Sequence, residues 1–171
     1  MNAYILAGGK SSRMGTNKAL MEFCGNPMSI HISNMLLQAG IEKVFLITKT
    51  PLLLPIPQFV ELYEESHPLY GVHIALAHSK EQLCLITPCD MPLVSISSYK
   101  KLRNQKTPTV ALGATKKHPL LGVYPQNIRE KALIYAQEER SVMSFVETFS
   151  TILIPNEELR NINYPHDREE P

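Results

Sequence analysis

Short apolar runs alternate along this chain with stretches of helical periodicity, and that alternation limits the fold more than any other feature. Tyr4-Ile5-Leu6-Ala7 is stopped by Gly8-Gly9 and reads as a buried strand entering a loop. Met28, Ile32, Met35, Leu36 and Ala39 then recur at helical spacing, with Gly40 as the stop. Residues 43–48 are β-rich and end in a Pro-rich connection at 51–57; residues 58–63 form a shorter strand candidate. Pro68 opens a helix over 69–77, softened by Gly71 and its β-branched residues. Residues 82–87 are the clearest central strand and stop at Pro88-Cys89-Asp90. A helix is predicted over 95–105 and strands over 109–112 and 120–124, with Pro119 marking the start of the second. Ile128, Ala132, Tyr135 and Ala136 predict an amphipathic helix. A short helix over 141–148 and a strand over 151–154 complete the pattern, before a polar tail from Tyr164.

Strand alternating with helix predicts an α/β fold: one mostly parallel sheet with helices on both faces, Rossmann-like in layout. Strands as uniformly apolar as 83–86 suit burial on both faces. At 171 residues, with no repeat and no dividing linker, residues 1–171 read as a single domain. In such sheets ligands bind outside the carboxyl ends of the strands. The first strand ends at Gly8-Gly9 and the fourth at Asp90, so both open onto one crevice.

A net charge of +1 gives no field that would gather nucleic acid or an anionic membrane. No apolar run is long enough to span a bilayer, and the N-terminus lacks the pattern of a signal peptide. Cys24, Cys84 and Cys89 show no C-x-x-C spacing, so a reduced, cytoplasmic setting with structural, buried cysteines is expected. No two of the six His show a metal spacing.

Anion binding must then come from local cations. Between Gly8 and Lys18, 11 residues hold three Gly, two Ser, two Lys and one Arg. A loop that wraps a triphosphate needs inward backbone N–H groups, close approach without Cβ atoms, and cations on its rim. Neither the P-loop spacing nor the dinucleotide fingerprint is present. Asp90, held between Pro88 and Pro92, supplies the oxygen ligand that Mg²⁺ takes alongside substrate phosphates and water.

The run L-A-G-G-K-x-x-R-M-G-x-x-K, followed by a strand ending P-C-D-M-P, resembles the nucleotidyltransferases that activate phosphorylated sugars, alcohols and pterins. Within that superfamily the chain most resembles the molybdenum cofactor guanylyltransferases. His67-Pro68-Leu69-Tyr70-Gly71, residues 118–124, Glu139-Arg140-Ser141-Val142 and residues 161–165 come in that family's order. The resemblance implies GTP as donor, molybdopterin (with or without molybdenum) as acceptor, and Mg²⁺ as cofactor. It also implies contact with a metal-insertion protein and with apo-molybdoenzymes.

By position, the resemblance puts Leu6, Ala7, Gly8 and Gly9 against the nucleotide, Lys18 on its phosphates, and Asp90 on the metal. Glu65 stands where the family has an Asp near the guanosine, and Asn17 where Asp precedes the Lys. Asn161 and Asn163 match a C-terminal Asn-x-Asn near the acceptor, and His118 is a further acceptor candidate. Arg13, Lys18 and Asp90 form the expected catalytic group, neutralising charge on the α-phosphate and the leaving pyrophosphate. A cytidylyltransferase for the same pterin, a sugar-phosphate nucleotidyltransferase and a non-catalytic GTP-binding maturation factor remain the alternatives.

Overall fold

In the computed structural model, which describes residues 1–8 and 17–162, all four side chains of β1 (Ala3–Leu6) are buried. A strand covered on both faces belongs inside a sheet. It pairs in parallel with β4 (Val44–Thr48) on one side and β6 (Leu83–Pro88) on the other. Alternation along the strands sorts their side chains into two cores. Ala3, Ile5 and Leu85 face one; Tyr4, Leu6, Cys84 and Ile86 face the other.

Helices cover both cores. Met28, Ile32 and Leu36 of α1 (Met28–Gln38) pack on the first with Tyr99 and Leu102 of α3 (Ile96–Arg103). The second is covered by α2 (Pro68–His78), α4 (Arg129–Gln137) and α5 (Val142–Phe145), through Leu69, Leu76, Ala132 and Phe145. Ser95 and Ser141 cap α3 and α5, each accepting from the backbone N–H three residues on. The second of these helices is a single turn, shorter than the 141–148 expected from its sequence.

Beyond β4 lies β5 (Gln58–Val60), and beyond β6 lie β8 (Lys117–Pro125), β7 (Thr109–Leu112) and β9 (Ser150–Leu153). The seven-stranded order among the described residues is β5-β4-β1-β6-β8-β7-β9, and β8 runs antiparallel to both its neighbours. The sheet is therefore mostly parallel, as the alternation of elements predicts.

One strand differs from expectation. Pro119 lies inside β8 rather than at its start, because the ladder with β7 jumps from Val110–Gly122 to Ala111–His118. Residues 119–121 bulge out of that ladder, and a bulge tolerates a residue with no N–H to donate. Gly122 makes the close return possible: a Cβ there would stand 2.4 Å from the Thr109 carbonyl oxygen.

A small hairpin of β2 (Glu22–Phe23) and β3 (Asn26–Pro27) precedes α1. Its turn puts Cys24 and Gly25 in the left-handed region, with φ of 49° and 74°. Cys24 is exposed there and does not serve the packing role expected of it; Cys84 and Cys89 are buried, and burial pushes their thiols up to about 12.

Candidate active site

The ladders of the central strands run one residue past their ends. Ala7 N–H donates to the Ile47 carbonyl at 2.8 Å, and Cys89 N–H to the Leu6 carbonyl at 3.0 Å. These bonds fix Gly8 and Asp90 side by side at the carboxyl edge of the sheet. Lys18 Nζ reaches Asp90 Oδ2 at 3.2 Å, with about a fifth of each side chain exposed (20% and 22%). Lys18 is delivered by a 3₁₀ turn, Lys18–Leu20, whose first N–H groups need an acceptor. Asn17 supplies it, taking a hydrogen bond from Ala19 N–H at 3.0 Å. Asn and Asp cap equally well, so Asn17 meets the structural demand of the position.

The N-terminus of α2 opens onto the same space. His67 caps it, Nδ1 accepting from Leu69 N–H at 3.2 Å, with Pro68 in the first turn. A helix N-terminus carries partial positive charge and outward N–H groups, which suits an anion. Gly71, one turn further, keeps the wall flat: a Cβ there would stand 3.3 Å from Leu6 Cδ2 and 3.7 Å from Ile47 Cγ2.

Two charged residues line this wall that the sequence reading did not single out. Lys49, just past β4, meets Glu61 Oε1 at 2.5 Å and donates to the carbonyls of Tyr63 at 2.7 Å and Glu65 at 3.0 Å. Glu61 is only 5% exposed, and burial pushes its carboxyl up while Lys49 pulls it back. The one available signal was position: each lies directly past the carboxyl end of a parallel strand. The Glu65 carboxylate accepts from the Tyr70 hydroxyl at 2.9 Å and is not among the cavity-lining groups.

The opposite wall belongs to the antiparallel part of the sheet. Lys116, Lys117 and His118 lie where β7 turns into β8, closed by Gly113 N–H donating to the Lys116 carbonyl. His118 is buried, and burial, reinforced by Lys116, holds its imidazole below its ordinary value and hence neutral near pH 7. Ile162 N–H donates to the Asp90 carbonyl at 2.8 Å, which brings Asn161 into the crevice.

Leu6, Ala7, Gly8, Lys18, Asp90, His118 and Asn161 thus share one cavity of about 640 Å³ with Lys49 and Glu61. Gly9, Arg13 and Asn163 lie outside the described residues. No group of three or more His, Cys, Asp or Glu that could hold a metal occurs among the described residues. A cation at Asp90 would take one carboxylate from the protein and its other ligands from substrate and water. Those are the terms on which Mg²⁺ binds in phosphoryl-transfer sites.

Residues 3–152 match the family of MobA-like NTP transferase domains. A protein of Flavobacterium johnsoniae named "Probable molybdenum cofactor guanylyltransferase" is 37% identical over 134 residues, covering 75% of this chain and 70% of the relative. The molybdenum cofactor guanylyltransferase of Helicobacter pylori is 33% identical over 178 residues, covering 96% and 88%. Among solved structures, molybdopterin-guanine dinucleotide biosynthesis protein A of Archaeoglobus fulgidus superposes with a TM-score of 0.72 at 19% identity, covering 98% of this chain and 94% of that one. A CMP:2-keto-3-deoxy-manno-octonic acid synthetase complexed with CTP gives 0.70 at 14% identity, covering 90% and 89%. No helix among the described residues is long and apolar enough to cross a membrane.

Proposed function

The chain belongs to the MobA-like NTP transferase family and is a nucleotidyltransferase, and from that premise we propose that it transfers GMP from GTP to the phosphate of molybdopterin, releasing pyrophosphate. The observation that carries the proposal is the Lys18–Asp90 pair, 3.2 Å apart between Gly8, the α2 N-terminus and Asn161. The names of relatives with up to 37% identity support the choice of guanine and of the pterin.

An acceptor phosphate is already a nucleophile at neutral pH, so the reaction needs no general base. Its barrier is repulsion between anions, together with charge developing on the α-phosphate and the leaving pyrophosphate. Asp90 would hold a Mg²⁺ ion, which when bound neutralises phosphate charge and orients the triphosphate. Lys18 leaves Asp90 to meet the phosphates as a point charge. Gly8 lets the chain lie close against the nucleotide, and the α2 N-terminus adds its positive end. Arg13, by its position in the motif, meets the leaving pyrophosphate. His118, neutral, and Asn161 offer hydrogen bonds to the acceptor without adding charge, and Asn163 joins them by its place in the motif. The acceptor would arrive through contact with an upstream metal-insertion protein, and product hand-over would follow through contact with apo-molybdoenzymes.

Pyrophosphate release with molybdopterin and Mg²⁺, run in parallel with GTP, CTP, ATP and UTP, tests this. Release with GTP alone is expected. Release with CTP instead would move the chain to cytidylyl transfer, and tight GTP binding with no release would make it a non-catalytic binder.

A further inference from the structure

Glu61 is a buried carboxylate that the transfer chemistry does not use. It lies in the crevice that must receive a polyanion, where a carboxylate is costly unless it has a task of its own. Its two oxygens differ. Oε1 faces the Lys49 ammonium at 2.5 Å, off the line that a hydrogen bond needs, so its partner is ionic. Lys49 is itself held by the Tyr63 and Glu65 carbonyls. Two carbonyls take hydrogen bonds from it and the Glu61 carboxylate balances its charge, so it pins the 61–65 segment.

Oε2 has no donor among the described residues. It stands 3.1 Å from where a Cβ on Gly8 would lie and 3.9 Å from where one on Gly71 would lie. The two glycines leave open the room in front of it. The walls beside that room are Leu6 and Ile47, so the space is a slot with apolar sides and one anionic acceptor.

An anionic acceptor repels phosphate and therefore marks the part of the slot that a nucleotide's neutral end must occupy. Apolar walls suit a planar base. The four bases differ in what they would present to such an oxygen. Guanine offers adjacent N1–H and N2–H donors. Adenine and cytosine present one amino group beside a ring-nitrogen acceptor, which a carboxylate repels. Uracil presents one N–H between two carbonyls. Only guanine gives two neighbouring donors, N1–H and N2–H, with its O6 acceptor on the far side of N1 from the amino group.

We propose that Glu61, fixed by Lys49, reads the Watson–Crick edge of guanine and so sets the base preference of this site. The inference rests on the guanylyl-transfer reading and names the residue that enforces it. Glu65, the residue that the sequence suggested for the guanosine, has one carboxylate oxygen on the Tyr70 hydroxyl and does not line the cavity.

Equilibrium binding of GTP, inosine triphosphate (guanine without its 2-amino group), 2′-deoxy-GTP and CTP, with Mg²⁺ and no acceptor, tests this apart from transfer. The intact chain should bind GTP at least ~10-fold more tightly than the inosine analogue, the usual worth of a hydrogen bond to a charged group. Glu61→Gln should bring the two within about threefold and leave the ratio of GTP to 2′-deoxy-GTP unchanged. An equal loss for all ligands, or a change confined to the deoxy ratio, would overturn the proposal in favour of a packing role or a ribose contact. If Glu61→Gln does not fold, Glu61→Asp keeps the charge beside Lys49 and draws the carboxylate back from the slot by one methylene. It should erase the same preference, and its retention would overturn the proposal. A preference of the intact chain for CTP would instead overturn guanylyl transfer itself.

Discussion

The two walls of the crevice are built from different kinds of sheet. The wall proposed to take the nucleotide comes from parallel strands β1, β4 and β5 and the start of α2, with ladder bonds carried past the strand ends to Ala7 and Cys89. The wall proposed to take the acceptor comes from the antiparallel β7–β8 pair, bulged at 119–121, and from a C-terminal segment whose Ile162 N–H donates to the Asp90 carbonyl. A parallel edge presents backbone at fixed spacing, which suits a ligand that is the same in every turnover. A bulged turn re-aims side chains, which suits the half of the site proposed to take the acceptor. Asp90 and Lys18 sit at the seam.

If the walls are separate halves joined at that seam, changes there should affect turnover and leave selectivity alone. Asp90→Ala and Lys18→Ala should each lower kcat by at least ~10², with the order of preference among GTP, inosine triphosphate and CTP unchanged. Initial-rate kinetics with each nucleotide would check this. Near-normal turnover in either variant would remove that residue from the mechanism.

The bulge offers a second way to break the comparison. Gly122→Ala would set a Cβ 2.4 Å from the Thr109 carbonyl oxygen and 2.9 Å from Val110 Cα, both backbone atoms that have little room to move. It should lower stability by roughly 2 kcal/mol, as overpacked positions do, and weaken acceptor binding more than GTP binding. Urea unfolding and the two KM values would show this; equal weakening of both ligands would mean that the walls are not independent.

A smaller effect belongs to the cations of the acceptor wall. Lys116→Ala with Lys117→Ala should raise the KM for the phosphorylated acceptor about tenfold, the scale of one lost charge-assisted contact, and leave the KM for GTP in place. A rise for GTP would put those lysines on the triphosphate.

How far each wall was legible in the sequence follows from the same contrast. Runs such as 83–86 declare a doubly buried strand, and the residue ending a parallel strand must face the crevice, so Gly8 and Asp90 could be placed from spacing alone. Lys18 followed from the motif. Glu61 and Lys49 escaped because their meaning depends on β5 pairing with β4, a three-residue contact that no local pattern announces. Glu65 was assigned to the guanosine by position, and the bond that one of its oxygens accepts from the Tyr70 hydroxyl is a feature only the fold reveals. Pro119 suggested a strand boundary because a proline inside a paired strand is unexpected, and the register jump that accommodates it is a tertiary fact.

The smallest expected effect is a pH dependence that separates the acceptor wall from the rest of the molecule. His118 and His31 are both held below the ordinary histidine value by burial; Lys116 adds to this at His118, while the Pro92 carbonyl opposes it at His31. Below the ordinary value of 6.5 the unfolded chain therefore binds more protons than the folded one, and stability rises with pH through that range. Stability should fall as pH drops through 6.5 and below, the two histidines adding no slope above about pH 7. His118→Gln should flatten part of that fall and remove the matching pH dependence of the acceptor KM. His31→Gln, on α1 outside the crevice and edge-on to Phe23, should flatten the stability curve alone. Urea unfolding from pH 5 to 8, paired with acceptor KM over the same range, distinguishes the two. If His31→Gln altered the acceptor profile, or His118→Gln left it intact, the acceptor wall would have to be drawn without His118.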